Sequence, residues 1–334
     1  MRGYRTGIPL IVLACLILVS FARSQSGDGP QDWFFDKSDN GETIHVLPLP
    51  ASIRLPWDLE PLFAINKATV YPASYGSGNL IDRGGLEISG ATFQAIYWNS
   101  GVSNSTATSL GYSYIKDQIA AFISHFPDNS NWDNSATDDY PVIQQYGSTS
   151  SISSTLGNPP ALLDGRPAQS NIRDSAIQSY LASLFTAGIL TPNSNTIYGV
   201  YFPHGMKVLL TGGSSCSSFC GYHSHFTYGT YQIKYAVFPY PDCSGCKLSS
   251  LSVADMLTII GSHEIREAVT DPGDSGNSAW YDRVGYEADD KCAWHHLYQI
   301  GNGGFWVQPE YSNGGTVTAS GFTGNYPGPG CVVP

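Results

Sequence analysis

Residues 252–272 read "SVADMLTIIGSHEIREAVTDP", and the fold turns on how this stretch is read. Ser252 followed three residues later by Asp255 is a capping-box pattern and predicts a helix start. Asp271-Pro272 predicts its end, because proline disfavours helical geometry in the residue before it. Met256 and Ile260 lie on one stripe, and steps of three and four carry that stripe on to His263 and Glu267. An imidazole and a carboxylate therefore fall on the face expected to be buried. An uncompensated carboxylate there costs several kcal/mol or loses its charge.

A cation resolves this conflict. His263 and Glu267, one helical turn apart, can share an ion, while Glu264, rotated about 100° round the axis, can hold a water beside it. This is the logic of the HExxH zinc peptidases, in which residues i and i+4 ligate the metal and the glutamate between them acts as base. Here Glu267 stands where the second histidine would be. The extra carboxylate makes the ion a poorer Lewis acid and admits calcium or manganese beside zinc. Further ligands have two sources. Downstream, "GYEADDKCAW" places Glu287 and Asp290 after the helix, and the 20 residues from Glu267 to Glu287 match the late acidic ligand of the glutamate-zincins. Upstream, His223 and His225 alternate along an expected strand and face the same side. Spacing does not choose between these sources.

A blander reading explains the same residues. HExxE matches occur by chance, and a solvated helix end would account for Glu264, Arg266 and Glu267. His223 and His225 are then hydrogen-bonded strand histidines, and His295-His296 fall in a polar loop. His45, His125 and His204 carry no partner signature. Trp98, Trp280, Trp294 and Trp306 read as core or rim packing rather than sugar platforms.

Outside this helix the order of elements is α+β. "LEISGATFQAIYWNS" predicts a strand ending at Trp98, and "YSYIKDQIAAFISHF" a helix with Ile115, Ile119, Phe122 and Ile123 inward. "SNIRDSAIQSYLASLFTAGIL" predicts a second helix with Ile172, Ala176, Leu181, Leu184 and Phe185 inward, stopping near Gly188. Four strands follow in "NTIYGVYF", "MKVLLTG", "GYHSHFTY" and "YQIKYAVFP". A helix, several strands and another helix are an α+β succession, with no internal repeat.

The N-terminus points to export. Arg2 and Arg5 precede an apolar run from Ile8 to Phe21 that closes on Ala22-Arg23-Ser24, so residues 1–24 read as a secretory signal peptide, too short for a membrane anchor. Residues 25–85 show no sustained period and read as an extended arm or pro-segment, with regular structure expected from about Leu86 and one domain spanning 86–334. Cys216, Cys220, Cys243, Cys246, Cys292 and Cys331 remain after the signal, an even number that reads as three disulfides rather than a zinc knuckle at Cys243-Ser-Gly-Cys246. Local pairing is expected, Cys216 with Cys220 and Cys243 with Cys246, leaving Cys292 for Cys331. A formal charge of -11 argues against a nucleic-acid partner. Asn104-Ser105-Thr106 is a glycosylation sequence.

"PHGMKVLLTGG" (203–213) and "CGYHSHFTY" (220–228) resemble the phosphate-induced, or Exordium-like, secreted proteins of plants, whose cysteine pairs fall in a similar order. The resemblance runs from about Leu86 to Cys331. "HEIREAVTDP" (263–272) with "WYDRVGYEADDKCAW" (280–294) is similar instead to bacterial and fungal secreted relatives that look like metallopeptidases. The plant proteins are tied to the apoplast and growth control and lack the His-Glu pair at this helix. The resemblance thus implies secretion and fold, and His263 and Glu264 are what it does not explain.

The expectation is a secreted, disulfide-bonded α+β domain of zincin-like architecture, with a mixed sheet behind the 253–270 helix. Its expected function is metal-dependent, zinc-favoured hydrolysis of an extracellular peptide, with no nucleic-acid or membrane partner. His263 and Glu267 bind the ion, Glu287, Asp290 or His223 complete its shell, and Glu264 is the catalytic base. Two rivals stand beside it, a non-catalytic wall-associated protein and a carbohydrate binder acting on a wall polymer.

Overall fold

Period-two alternation in the strands sorts side chains onto two faces of one sheet, and both faces are covered. The computed structural model describes residues 34–50, 68–127, 140–148, 151–273, 279–300, 304–319 and 322–333. The expected signal peptide lies outside the described residues.

The principal sheet has seven strands: β1 (Phe35–Lys37), β2 (Thr43–Pro48), β3 (Thr92–Tyr97), β4 (Leu162–Leu163), β5 (Thr196–Tyr201), β6 (Phe219–Tyr228) and β7 (Tyr231–Phe238). Their order is β1-β2-β6-β7-β5-β3-β4. The β1-β2, β2-β6 and β6-β7 pairs are antiparallel, and the β7-β5, β5-β3 and β3-β4 pairs are parallel. The fold is therefore α+β around a mixed sheet. Helices α1 (Ser100–Ser103), α2 (Ile115–His125), α3 (Asp174–Thr186) and α4 (Val253–Thr270) complete it.

On one face Tyr198, Val200, Tyr235 and Val237 pack against Ile177, Leu181, Leu184 and Phe185 of α3. On the other, Ile197, Tyr201, Ala236 and Phe238 share a core with α2 and α4. The inward stripe of α2 is as the sequence predicts, with Ile115, Ile119, Phe122 and Ile123 all buried. In α3, Leu181, Leu184 and Phe185 face in as the sequence predicts and Ile172 is buried just before the helix, but Ala176 is exposed and Ile177 is buried instead. Asp174 is buried at the first turn, where its Oδ1 accepts hydrogen bonds from Tyr222 and Tyr235 at 2.7 Å.

Two expectations about the chain ends are corrected. Among the described residues, regular structure is already present at Phe35, not only from about Leu86, because Phe34, Ile44, Val46 and Leu47 supply enough apolar surface for β1 and β2 to join the sheet. The cysteines also pair differently: Cys216 bonds Cys243, Cys220 bonds Cys246, and only Cys292–Cys331 is as expected. The two CxnC segments lie side by side, so each bridge joins one segment to the other. No bridge closes within a segment. With loops of 27 and 26 residues, either bridge alone removes about 3 kcal/mol of unfolded-chain entropy, and the second adds less because the loop is already closed.

Aromatic side chains are mostly internal. Trp98 and Trp294 are buried, and Trp280 and Trp306 are half-buried, Trp280 donating to Glu87 at 2.8 Å. None of the four tryptophans presents the open ring that a sugar platform needs. Among the described residues, no helix is long and apolar enough to cross a membrane. Asn104, in the glycosylation sequence, is exposed just after α1.

Helix α4 forms where the sequence places it. Ser252 accepts from the Asp255 amide while Asp255 accepts from the Ser252 amide, which closes the capping box, and Asp271 ends the helix. Its surroundings are less usual, since Ala254 to Thr270 are all buried. The sheet lies on one side, α2 and the Pro141–Tyr146 turn on others, and the Trp306–Val307 strand crosses the remaining face. Gly221 lets β6 come close to the helix: a Cβ there would lie 2.5 Å from the Ile260 side chain and 2.9 Å from Glu264 Oε1. Gly221→Ala should destabilise the protein by about 1–3 kcal/mol through overpacking, read as a lower urea midpoint with an unchanged m-value.

Candidate metal centre

Total burial of α4 leaves its charged side chains without solvent, so each must find a partner inside. His263, Glu264, Arg266 and Glu267 are at most 1 % exposed, which overturns the solvated-helix-end reading. Arg266 is matched by Asp289, whose carboxylate accepts from Nε at 3.2 Å and from Nη2, and by the Gln308 carbonyl. Asp289 is pushed up to about 6 by burial, against the pull of the guanidinium beside it. This pair anchors the 287–292 loop to the outer face of α4.

The other face carries the acids toward the sheet. His263 Nε2 lies 2.9 Å from Glu267 Oε2 and 3.8 Å from Asp290 Oδ1. His223, on β6, points Nδ1 at Glu264 Oε2 at 3.3 Å and lies 3.9 Å from Glu267 Oε2, while its Nε2 is 3.7 Å from Glu287 Oε2. The structure thus brings together every residue assigned from sequence: His263, Glu264, Glu267, Glu287, Asp290 and His223. Both proposed sources of extra ligands contribute. His225 faces the same side two residues on but is outside the groups whose donor atoms lie within 4.8 Å of one another, and it packs beside Gly273.

Sequence reasoning missed His45. It sits on β2 directly opposite His223 in the antiparallel register, with Nδ1 3.2 Å from Glu287 Oε1 and 3.9 Å from Asp290 Oδ2. Alternation in "TIHVLP" already put His45 and Leu47 on the face opposite Ile44 and Val46. Nothing in the sequence said that this strand pairs with β6. Asp271 was read only as a helix stop, yet it is buried, accepts from the Ala279 amide at 2.8 Å and acts electrostatically on His223.

The donor atoms fit a metal better than they fit one another. Glu264 Oε1, Glu267 Oε2, Glu287 Oε2, Asp290 Oδ1 and His45 Nδ1 are buried with no hydrogen-bond partner among the described residues. Glu267 Oε2 belongs to that set although His263 Nε2 is 2.9 Å away, because the approach lacks hydrogen-bond geometry. Lone pairs that crowd without bonding are what ligands of a common ion show. The sulfurs of Cys216, Cys243 and Cys246 also lie close together, but all three are spent in disulfides.

Without a cation the cluster holds protons instead. Burial pushes Glu264 up to about 8, and burial together with the neighbouring carboxylates raises Glu267 and Glu287 well above the usual range. Burial, and the imidazole of His45 after it, push His223 down to about 3.

No family model matches the chain, and no curated protein and no solved structure matches it.

The raised carboxyls set a pH signature for chelator-treated protein. Between pH 6.5 and 8 the folded state keeps a proton on Glu264 that the unfolded chain, with glutamate near 4.3, has released, so stability falls as pH rises. His223 acts in the opposite sense, but only below about 6.5, where the unfolded imidazole takes up a proton. The Tm of chelated protein should therefore decline from pH 6.5 to 8. Added metal should flatten that slope, since bound ligands are deprotonated. Equal slopes with and without metal would contradict this account of the cluster.

Proposed function

We propose that this protein is a secreted, metal-dependent hydrolase that acts on peptide bonds. The observation that carries the reading is Glu264: its carboxylate reaches the donor cluster from the residue next to His263, with one oxygen 3.3 Å from His223 Nδ1 and the other unpartnered. A base needs a free lone pair beside the reacting water, and the unpartnered Oε1 supplies one. The helix backed by a mixed sheet supports a zincin-like arrangement, and the sequence resemblance supports a place among Exordium-like proteins of the microbial, HExxE-bearing kind. Three imidazoles favour a transition ion, zinc or manganese, over calcium, whose shells are built from oxygen. When bound, such an ion polarises a carbonyl and lowers the pKa of water.

In this reading His263 and Glu267 hold the ion, and Glu287 or Asp290 completes its shell. Glu264 accepts a proton from the attacking water and delivers it to the leaving amine, and His223 orients the Glu264 carboxylate. The three disulfides and the N-terminal signal support an extracellular or wall setting.

Burial favours a second reading. Every donor except His45 is at most 5 % exposed by side chain, as in a structural centre. A non-catalytic extracellular protein stabilised by its metal would look the same from inside.

Two variants separate the readings. Glu264→Gln should lower turnover of casein or a peptide library by about 10²–10⁴-fold while keeping metal content. His263→Ala should lose metal and activity together. If the parent protein binds metal but shows no hydrolysis that Glu264→Gln abolishes, the structural reading stands.

A further inference from the structure

Three histidines and three carboxylates alternate in a closed ring. Glu287 places Oε1 3.2 Å from His45 Nδ1 and Oε2 3.7 Å from His223 Nε2. Glu267 Oε2 lies 3.9 Å from His223 Nδ1 and 2.9 Å from His263 Nε2. Asp290 closes the circuit with Oδ1 3.8 Å from His263 Nε2 and Oδ2 3.9 Å from His45 Nδ1. Two of these acids, Glu287 and Asp290, thus direct separate oxygens at separate histidines, which is how a carboxylate bridges two ions. Donors bound at about 2.0–2.2 Å to one ion sit roughly 3–3.5 Å apart, and four of the six contacts round the ring, at 3.7–3.9 Å, are longer than that. It divides into groups that each hold one histidine and two acids, with every acid shared between two groups.

We propose that the centre binds two divalent transition-metal ions. One is the ion of the hydrolase reading, on which this inference rests, held by His263 and Glu267. The second is held by His45 and Glu287, and Asp290 bridges the pair with one oxygen toward each histidine. Charge points the same way. Glu264, Glu267, Glu287 and Asp290 are four buried carboxylates in one cluster, and two divalent cations neutralise what one would leave half unmatched. The unpartnered Glu267 Oε2 and Asp290 Oδ1 both face His263 at the first position. His45, with a side chain 24 % exposed, makes the second position the one nearer solvent. It is therefore the more readily exchanged of the two. Paired ions about 3.5–4 Å apart can clamp both the attacking and the leaving atoms of a displacement, which suits hydrolysis.

The test is metal stoichiometry on the full secreted chain, by elemental analysis after loading with zinc or manganese. Two ions per chain are expected for the parent and one for His45→Ala. Manganese-loaded parent protein gives a check that needs no variant: exchange-coupled ions produce a multiline resonance spectrum, a single ion an ordinary six-line one. One ion per chain with a six-line spectrum overturns the second position and leaves the hydrolase reading intact. No binding of either metal overturns both. Two ions with no Glu264-dependent hydrolysis would keep the dinuclear centre and sink the hydrolase reading alone.

Discussion

The structure is organised by one constraint: a helix wrapped on every side carries four ionisable residues in five positions, and none can reach water. Each charge must be answered by a group that the rest of the chain brings to it. Arg266 is answered by Asp289 and the Gln308 carbonyl. His263, Glu264 and Glu267 are answered by two sheet histidines and the 287–290 loop. The loop serves both faces at once, since Asp289 holds the guanidinium while Asp290, the next residue, turns toward His263. Removing either partner of the Arg266–Asp289 pair would strand a buried charge and release the loop that carries two of the acids.

The sheet supplies the other half of the centre through register. His45 and His223 are useful together only because β2 and β6 are antiparallel with these residues opposed, ring centroids 6.4 Å apart. A slip of one residue would turn His45 to the α3 face and remove it from the centre. The Cys216–Cys243 and Cys220–Cys246 bridges lie at the start of β6, and Cys292–Cys331 lies at the end of the acidic loop. Covalent links therefore sit at two of the three segments that must be held relative to α4. Gly221 settles their separation, since only a residue without a side chain lets β6 approach Ile260 and Glu264 so closely.

What could be read from the sequence was local. Helix α4 with its capping box, the α2 stripe, the strands of the central region and the acids at 287 and 290 all follow from patterns within a few residues of one another. So did the conflict between charge and burial that pointed to a cation. What could not be read was pairing over distance. His45 stands 178 positions before His223 in the chain, and no period or spacing joins them. The crossed disulfides escaped for the same reason, since a CxnC spacing fits bridges within segments and between segments equally well. In α3 the larger apolar side chains face in as their spacing said, and only Ala176, too small to decide a face, was misplaced, with Ile177 buried in its stead.

His45 also changes the meaning of the segment that precedes the central domain. Read from composition, residues 25–85 are an arm or a removable pro-segment, and nothing chemical would depend on them. In the fold they contribute β1 and β2, an aromatic contact between Phe35 and His45 at 4.5 Å, and the one donor histidine with appreciable exposure. Cleavage before Leu86 would leave β6 as an open sheet edge and Glu287 Oε1 without its imidazole, so the carboxylates would face one histidine fewer with their charge unchanged. A metal held there, as proposed, would lose a ligand on the side nearest solvent. Retention of these strands and a complete ring of donors are thus the same structural requirement, which makes the N-terminal segment part of the donor cluster rather than its cover.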